Sequence, residues 1–308
     1  MKIVIIGLGI QGHKRLLASS KDTFIKVDPV ATACDFKSIY QVPLSEYDAA
    51  IVATPDALKF EIIKYLVINK KHVLVEKPLI FTEKSQFIEI QELASKNKCY
   101  VYVAYNHRFE THFQNIKSAL QNRLVGEIYY CKLFYGNGTA RLVRNSQWRD
   151  TGFGVLTDLG SHLLDTIDFW FGSDEVYNIN SRHYNLENIS TDLATALFTM
   201  RNINFNLEMS LCSWKNTFIC DIIGSKGSLH INGLRKWGQS IYTHRSRIIP
   251  SGTPKEVQII ESQGDPTWKL EYDFFKNKII SGESTDFSKD IWIFENLKSF
   301  YENGARLD

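Results

Sequence analysis

At 308 residues the chain is long enough for two domains, each with its own core. Hydrophobic residues make up 44% and charged residues 23%, an ordinary globular composition, and a net charge of +2 excludes the strongly basic balance of a nucleic-acid binder. No run approaches the roughly 20 apolar residues of a membrane span, so neither nucleic acid nor membrane is expected as a partner.

In chain order, residues 3–6 read as a buried strand that runs into Gly7-x-Gly9-x-x-Gly12 and a helix-compatible stretch, 13–19. The apolar start lacks a cleavage site and is accounted for by this strand, not by a signal peptide. A strand, a glycine turn and a helix in that order form the context of a dinucleotide fingerprint. Gly7 permits the tight turn, Gly9 lets backbone approach a pyrophosphate, and Gly12 lets the helix sit close to the strand. The helix N-terminus then offers its unpaired N–H groups to the anion. Residues 24–27 form a second strand, stopped by Asp28-Pro29. A third, 48–54, ends at Pro55, and helical spacing follows over 57–69. The fourth strand, 72–75, ends at Glu76-Lys77-Pro78. A helix N-capped by Thr82 runs to 97, and a fifth strand covers 100–104. Strands separated by helices imply parallel pairing, so residues 1–105 read as a doubly wound α/β Rossmann domain.

Residues 106–308 read as an α+β domain. Helices are predicted at 111–122, 155–171, 268–280 and 286–302. Strands are predicted at 127–134, 176–184, 192–200, 203–213, 217–223 and 227–231. Such a run of strands implies an open, mostly antiparallel sheet with helices on one face. The stretch 233–266 reads as a long loop or irregular hairpin. Five scattered cysteines (Cys34, Cys99, Cys131, Cys212, Cys220) with no CxxC predict reduced thiols, no metal site and a cytoplasmic location.

Three stretches carry chemistry. Lys77 projects from the carboxyl end of the fourth strand, the edge where open α/β sheets hold ligands. An ammonium there can hydrogen-bond a substrate hydroxyl and stabilise an alkoxide as hydride leaves; the alternative is a surface lysine in a strand-end turn. Asp158, His162 and Asp165 are spaced i, i+4, i+7 and so share one helical face. The imidazole is a candidate acid/base and Asp158 its orienting carboxylate; a solvated helix pair is the competing account. Tyr105-Asn-His-Arg-Phe109 follows the fifth strand where the chain leaves the first domain. Asn106 and Arg108, with Arg141, Arg144, Trp148 and Arg149, are candidate anion contacts and a sugar-stacking surface.

Taken together, the N-terminal GxGxxGH, Ala53-Thr-Pro-Asp56, residues 71–78 with their Glu-Lys-Pro, Tyr105-Asn-His-Arg-Phe109, and Trp148-Arg-Asp…Gly154…Asp158-Leu-Gly-Ser-His162…Asp165 resemble the glucose–fructose oxidoreductase/inositol dehydrogenase/MocA (Gfo/Idh/MocA) family over nearly the whole chain. The resemblance implies an NAD(P)-dependent oxidoreductase acting on a secondary alcohol or ketone of a cyclic sugar or polyol, nucleotide-linked or phosphorylated substrates included. It implies a homodimer or homotetramer joined through the C-terminal sheet. It makes Lys77, His162 and Asp158 the catalytic set. Gly7, Gly9, Ile10, Gln11, Gly12, Asp28, Thr54, Pro55, Glu76 and Lys77 become the cofactor contacts, and Asn106, Arg108, Arg144, Trp148, Arg149 and His162 the substrate contacts. Two other activities fit the same resemblance or fold: an NAD-dependent glycosidase and a non-catalytic dinucleotide sensor.

Two departures stand out. The stretch between the second and third strands is too short for a full helix, and Lys59 stands where many relatives carry His in a TPxxxH pattern. Asp28 lies 16 residues after Gly12 and Asp35 lies 23 after it, against an expected separation of about 20, so spacing leaves the ribose ligand open. The strand 24–27 favours Asp28 and therefore NAD, with Arg15 or Lys37 as the groups that would admit NADP.

Overall fold

Apolar runs without alternation build the first sheet. β1 (Ile3–Ile6) and β3 (Ala49–Val52) are buried at every position, as strands covered on both faces must be. The computed structural model describes residues 1–146, 148–262 and 264–307. They divide into one unit of Met1–Asn106 with Pro266–Ile291, and a second of His107–Asp265 with the chain from Trp292 onward.

In the first unit, α1 (Ile10–Ala18) follows β1, and β2 (Thr23–Val27) follows α1. No α-helix separates β2 from β3. Residues 28–36 instead fold back along the outer edge of β2, where Asp35 N–H donates to Lys26 O at 2.8 Å and Phe36 O accepts from Asp28 N–H at 3.1 Å. Two short 3-10 turns, Ile39–Gln41 and Leu44–Glu46, complete the link. α2 (Asp56–Ile68), β4 (His72–Glu76), α3 (Lys84–Asn97) and β5 (Val101–Ala104) follow. The cap of α3 is Glu83, not the expected Thr82: Glu83 and Gln86 close a reciprocal capping box, and the Gln86 side chain also accepts from Thr82 N–H at 2.8 Å. The strand order is β2-β1-β3-β4-β5, all parallel. Progression reverses at β1, so the switch point lies at the carboxyl ends of β1 and β3, beside the glycine turn.

The second unit opens with α4 (Thr111–Gln121), β6 (Ile128–Gly136) and the short α5 (Ala140–Arg144). The helix expected over 155–171 is in two parts, a π-helical turn at Leu156–Gly160 running into α6 (Ser161–Phe171). Then come β7 (Tyr177–Tyr184), β8 (Leu193–Met200), β9 (Ile203–Ser210), β10 (Thr217–Gly224), β11 (Gly227–Asn232), β12 (Ser240–Ser246) and β13 (Lys255–Glu261). The stretch expected to be a loop or irregular hairpin thus contains seven-residue strands paired in regular antiparallel register, from Ser240–Glu261 to Ser246–Lys255. β13 is an edge strand exposed almost throughout, so it carries no burial alternation for sequence reasoning to detect. Gln263, in the same stretch, lies outside the described residues.

α7 (Thr267–Ile280) returns to the first unit, an addition to which the strand–helix alternation of residues 1–105 gave no clue. Its Tyr272 and Phe275 join Ile3, Ile5, Ile51 and Leu74 in one core. α8 (Ser288–Glu302) and β14 (Ala305–Leu307) end the described chain. The second sheet has nine strands in the order β13-β12-β11-β10-β6-β9-β8-β7-β14. It is mixed and mostly antiparallel, with β6–β9 and β7–β14 parallel. Helices cover one face: the Phe113 ring packs on Phe218 at 5.1 Å, Trp170 Nε1 donates to Phe113 O at 3.0 Å, and Phe300 packs on Phe198 at 5.4 Å. Among the described residues no helix is long and apolar enough to cross a membrane.

Candidate functional site

In the first unit the glycine turn has the geometry that its spacing predicts. Gly7 has φ +93°, and a Cβ there would lie 2.5 Å from Ala53 O; a Cβ at Gly12 would lie 1.9 Å from Gly7 O. A Cβ at Gly9 would meet nothing within 4 Å, so open space lies above the turn at the N-terminus of α1. Beside it the Thr54 hydroxyl is buried with no hydrogen-bond partner among the described residues. Open space over Gly9 and an unpaired buried hydroxyl fit a dinucleotide phosphate bridge, with Ile10 and Gln11 opening α1 and Pro55 capping α2.

Asp28 and Asp35 part company here. Asp28 Oδ2 accepts from Leu8 N–H at 2.7 Å, and its Oδ1 accepts from Val30 and Ala31 N–H at 2.8 and 2.7 Å. Burial opposes the charge, but these three donors hold the carboxyl below the usual range. Asp35 bonds back to Lys26 N–H on the outer edge of β2. Of the two, only Asp28 is tied to the glycine turn.

Arg15, expected as a rescuer of NADP, is not available for that role. Its guanidinium is 1% exposed, with Nε 2.5 Å from Glu76 Oε1, Nη1 2.7 Å from Glu271 Oε2, and the Trp268 ring 4.3 Å away. Glu76 is thereby committed to an internal ion pair. Burial pushes the Glu271 carboxyl up to about 7 even against its partner Arg15. Lys37 is exposed and donates to Ala31 O at 2.7 Å. Lys59 is also buried: its Nζ donates to Glu76 O at 2.6 Å and Pro78 O at 2.7 Å and pairs with Asp56 Oδ1 at 2.6 Å. Lys77 stands between the two carbonyls that Lys59 holds. Asn106, expected to touch substrate, is buried and donates to Thr267 Oγ1 at 2.8 Å.

In the second unit His162 sits in the first turn of α6, 7% exposed. Its ring stacks on His107 with centroids 4.1 Å apart and planes 16° apart, and Tyr135 lies 5.8 Å away. Lys236 Nζ lies 3.2 Å from both His107 Nε2 and the Tyr135 hydroxyl. The ammonium can donate to Nε2 of His107 when that nitrogen carries the ring's lone pair. Burial lowers the basicity of Lys236, while Asp265, Glu110 and Asp158 support its charge. Burial, with Asp265 nearby, pushes Glu110 up to about 7.

The remaining expected residues divide. Asp158 lies 3.6 Å from Arg149 Nη2. Asp165, placed on His162's face by helical spacing, is 1% exposed and pairs with Arg108 at 2.8 Å, while Asp168 takes the same guanidinium at 2.6 Å. Two carboxylates therefore commit Arg108 to an internal ion-pair cluster, not to an open substrate contact. Arg144 donates to Glu187 O at 2.8 Å, Arg141 lies 3.6 Å from Glu187, and Trp148 is 61% exposed. The sequence offered no sign of Lys236 or Tyr135, since Lys236 lies 129 residues from His107. His107 was visible only as part of a motif.

A family model described as "Oxidoreductase family, NAD-binding Rossmann fold" matches residues 19–105, and one described as "Oxidoreductase family, C-terminal alpha/beta domain" matches residues 117–289. An uncharacterized oxidoreductase of Escherichia coli, YdgJ, is 25% identical over 224 residues, 71% of this chain and 63% of that protein. Glucose-6-phosphate 3-dehydrogenase of Bacillus subtilis is 28% identical over 132 residues, 41% of this chain and 37% of that enzyme. The chain therefore spans less than two thirds of the length of these curated relatives. Levoglucosan dehydrogenase in complex with NADH has the same fold, with a TM-score of 0.84 at 15% identity over 98% of this chain and 96% of that one.

Proposed function

We propose that this chain, which belongs to the Gfo/Idh/MocA oxidoreductase family, moves a hydride between a nicotinamide and a secondary alcohol or ketone of a cyclic sugar or polyol. The observation that carries this reading is the buried imidazole of His162, stacked on His107, which Lys236 contacts at 3.2 Å. Imidazole is the side chain best suited to accept and return a proton near neutral pH, which makes His162 the proposed acid/base. In the oxidative direction the substrate carbon loses hydride, its hydroxyl proton passes to the His162 imidazole, and a ketone forms. Lys77 donates a hydrogen bond to the same oxygen and stabilises its developing negative charge. Asp158, paired with Arg149, tempers the positive charge around His162 and Lys236. When bound, NAD supplies the hydride acceptor. Gly7, Gly9 and Gly12 give its pyrophosphate room at the N-terminus of α1, and Asp28 takes the ribose hydroxyls, which favours NAD over NADP.

A relative named for glucose 6-phosphate and a neighbour in fold named for levoglucosan support the substrate class. Trp148, Arg144 and Arg149 are the proposed sugar contacts. The reading extends to a homodimer or homotetramer through the exposed face of the nine-stranded sheet. The test is to follow NADH absorbance across cyclic sugars and polyols with wild type, Lys77→Met and His162→Ala. Each substitution is expected to lower kcat by about 100-fold or more; activity within a few-fold of wild type would overturn the assignment.

A further inference from the structure

Lys59 is a lysine that the reaction above does not use, and its surroundings are unusual for one. It lies on the inner side of α2 with Ile63, Leu66 and Val67, and it is 1% exposed. A buried ammonium is tolerated only when its charge and its protons are all met. Here the count closes. An ammonium has three N–H groups, and Nζ has three acceptors: Asp56 Oδ1 at 2.6 Å, Glu76 O at 2.6 Å and Pro78 O at 2.7 Å. The Asp56 carboxylate supplies the counter-charge from the first turn of α2. No proton of Lys59 is left for a ligand, so the residue is not itself a substrate or phosphate contact.

The two carbonyls it grips belong to residues 76 and 78, one on each side of Lys77. Glu76 is gripped a second time, through its carboxylate, by Arg15 Nε at 2.5 Å. The backbone that carries Lys77 is thus fixed from two directions by buried cations. A strand-end turn held in that way has few alternative conformations, and a side chain leaving it starts from a set position.

We propose that Lys59 is the positioning residue for Lys77: its ammonium ties the carbonyls of Glu76 and Pro78 to the start of α2 and so fixes the backbone from which Lys77 reaches substrate. This rests on the assignment of Lys77 to the reaction made above, and the test separates the two. Lys59→Met removes the tie. Asp56→Ala removes its counter-charge and one of its three acceptors but leaves both carbonyl contacts, at a half-exposed position that adds no new group to the interior. Lys59→Arg retains charge and donors.

Two readouts are taken on each protein. The first is hydrogen exchange of the Lys77 and Leu79 amides in the cofactor-free protein. The second is the kcat and KM for sugar oxidation, beside an NAD dissociation constant from fluorescence titration. Lys59→Met is expected to speed exchange at these amides by about tenfold and to lower kcat by about tenfold, with NAD affinity within twofold of wild type. Asp56→Ala should change both in the same direction by a smaller factor, and Lys59→Arg should recover part of each. Unchanged exchange at Lys77 and Leu79 in Lys59→Met overturns the proposal, whatever happens to activity. Should Lys59→Met fail to fold, Asp56→Ala carries the same decision: faster exchange supports the tie and unchanged exchange refutes it. Retained activity in Lys77→Met would instead remove the catalytic assignment while leaving the exchange result to decide whether Lys59 holds the turn.

Discussion

Replacing Glu271 by Gln should flatten the dependence of stability on pH. In the first unit one buried guanidinium, Arg15, faces two buried carboxylates, Glu76 and Glu271, at 2.5 and 2.7 Å. One cation cannot neutralise both, and burial leaves Glu271 with a carboxyl pushed up from 4.5 to about 7. The sign follows from proton binding. Between these two values the folded state holds a proton that the unfolded chain has released, so stability is fully present below about pH 4.5 and is lost as pH rises towards 7. At about 1.4 kcal/mol per pH unit, that displacement amounts to about 3 kcal/mol. A glutamine has no charge to release and so removes this slope; its one oxygen can accept from Arg15 or from the Tyr102 hydroxyl, which face different oxygens of Glu271. The assay is urea unfolding between pH 5 and 8, followed by tryptophan fluorescence, since Trp268 lies 4.3 Å from the Arg15 guanidinium. Wild type should lose stability across that range and Glu271→Gln should lose about 3 kcal/mol less. Parallel curves for the two proteins would refute the account of an over-supplied carboxylate pair.

Asp28→Asn keeps an oxygen for the Val30 and Ala31 N–H groups but removes the charge that would face a ribose. It should weaken NAD about tenfold, equivalent to about 1.4 kcal/mol, and narrow the NAD-to-NADP preference; an unaltered ratio in fluorescence titration would exclude Asp28 as the discriminating group. The outer face of the second sheet exposes Tyr130, Leu197, Ile219 and Ile260, an apolar area suited to a second copy of the chain. Ile219→Glu should therefore lower the mass measured by light scattering, and a wild type that is already monomeric at assay concentration would remove the oligomer.

What could be foreseen from sequence follows from how local each signal is. The parallel sheet was legible because β1 and β3 are buried at every position, hence uniformly apolar, and the strands are punctuated by Gly12, Pro55 and Pro78. Asp28 and the glycine turn were legible because one short βαβ stretch contains both. His162 was legible as a histidine beside a carboxylate on one helix, yet the π-helical turn at Leu156–Gly160 and the capture of Asp165 by Arg108 come from packing. α7 was read as a helix, but nothing local says that Tyr272, Phe275 and Glu271 complete a core begun some 270 residues earlier. Buried cations divide along the same line. Lys59 left a trace, because it falls on the apolar stripe of α2 at i, i+4, i+7 with Ile63 and Leu66, where an unpartnered lysine would be costly. Lys236 left none: it lies in an irregular stretch between strands, and the His107 and Tyr135 that give it meaning are 129 and 101 residues away. A charge on a buried helical stripe announces that a partner must exist, whereas a charge in a loop looks solvated until the fold closes around it.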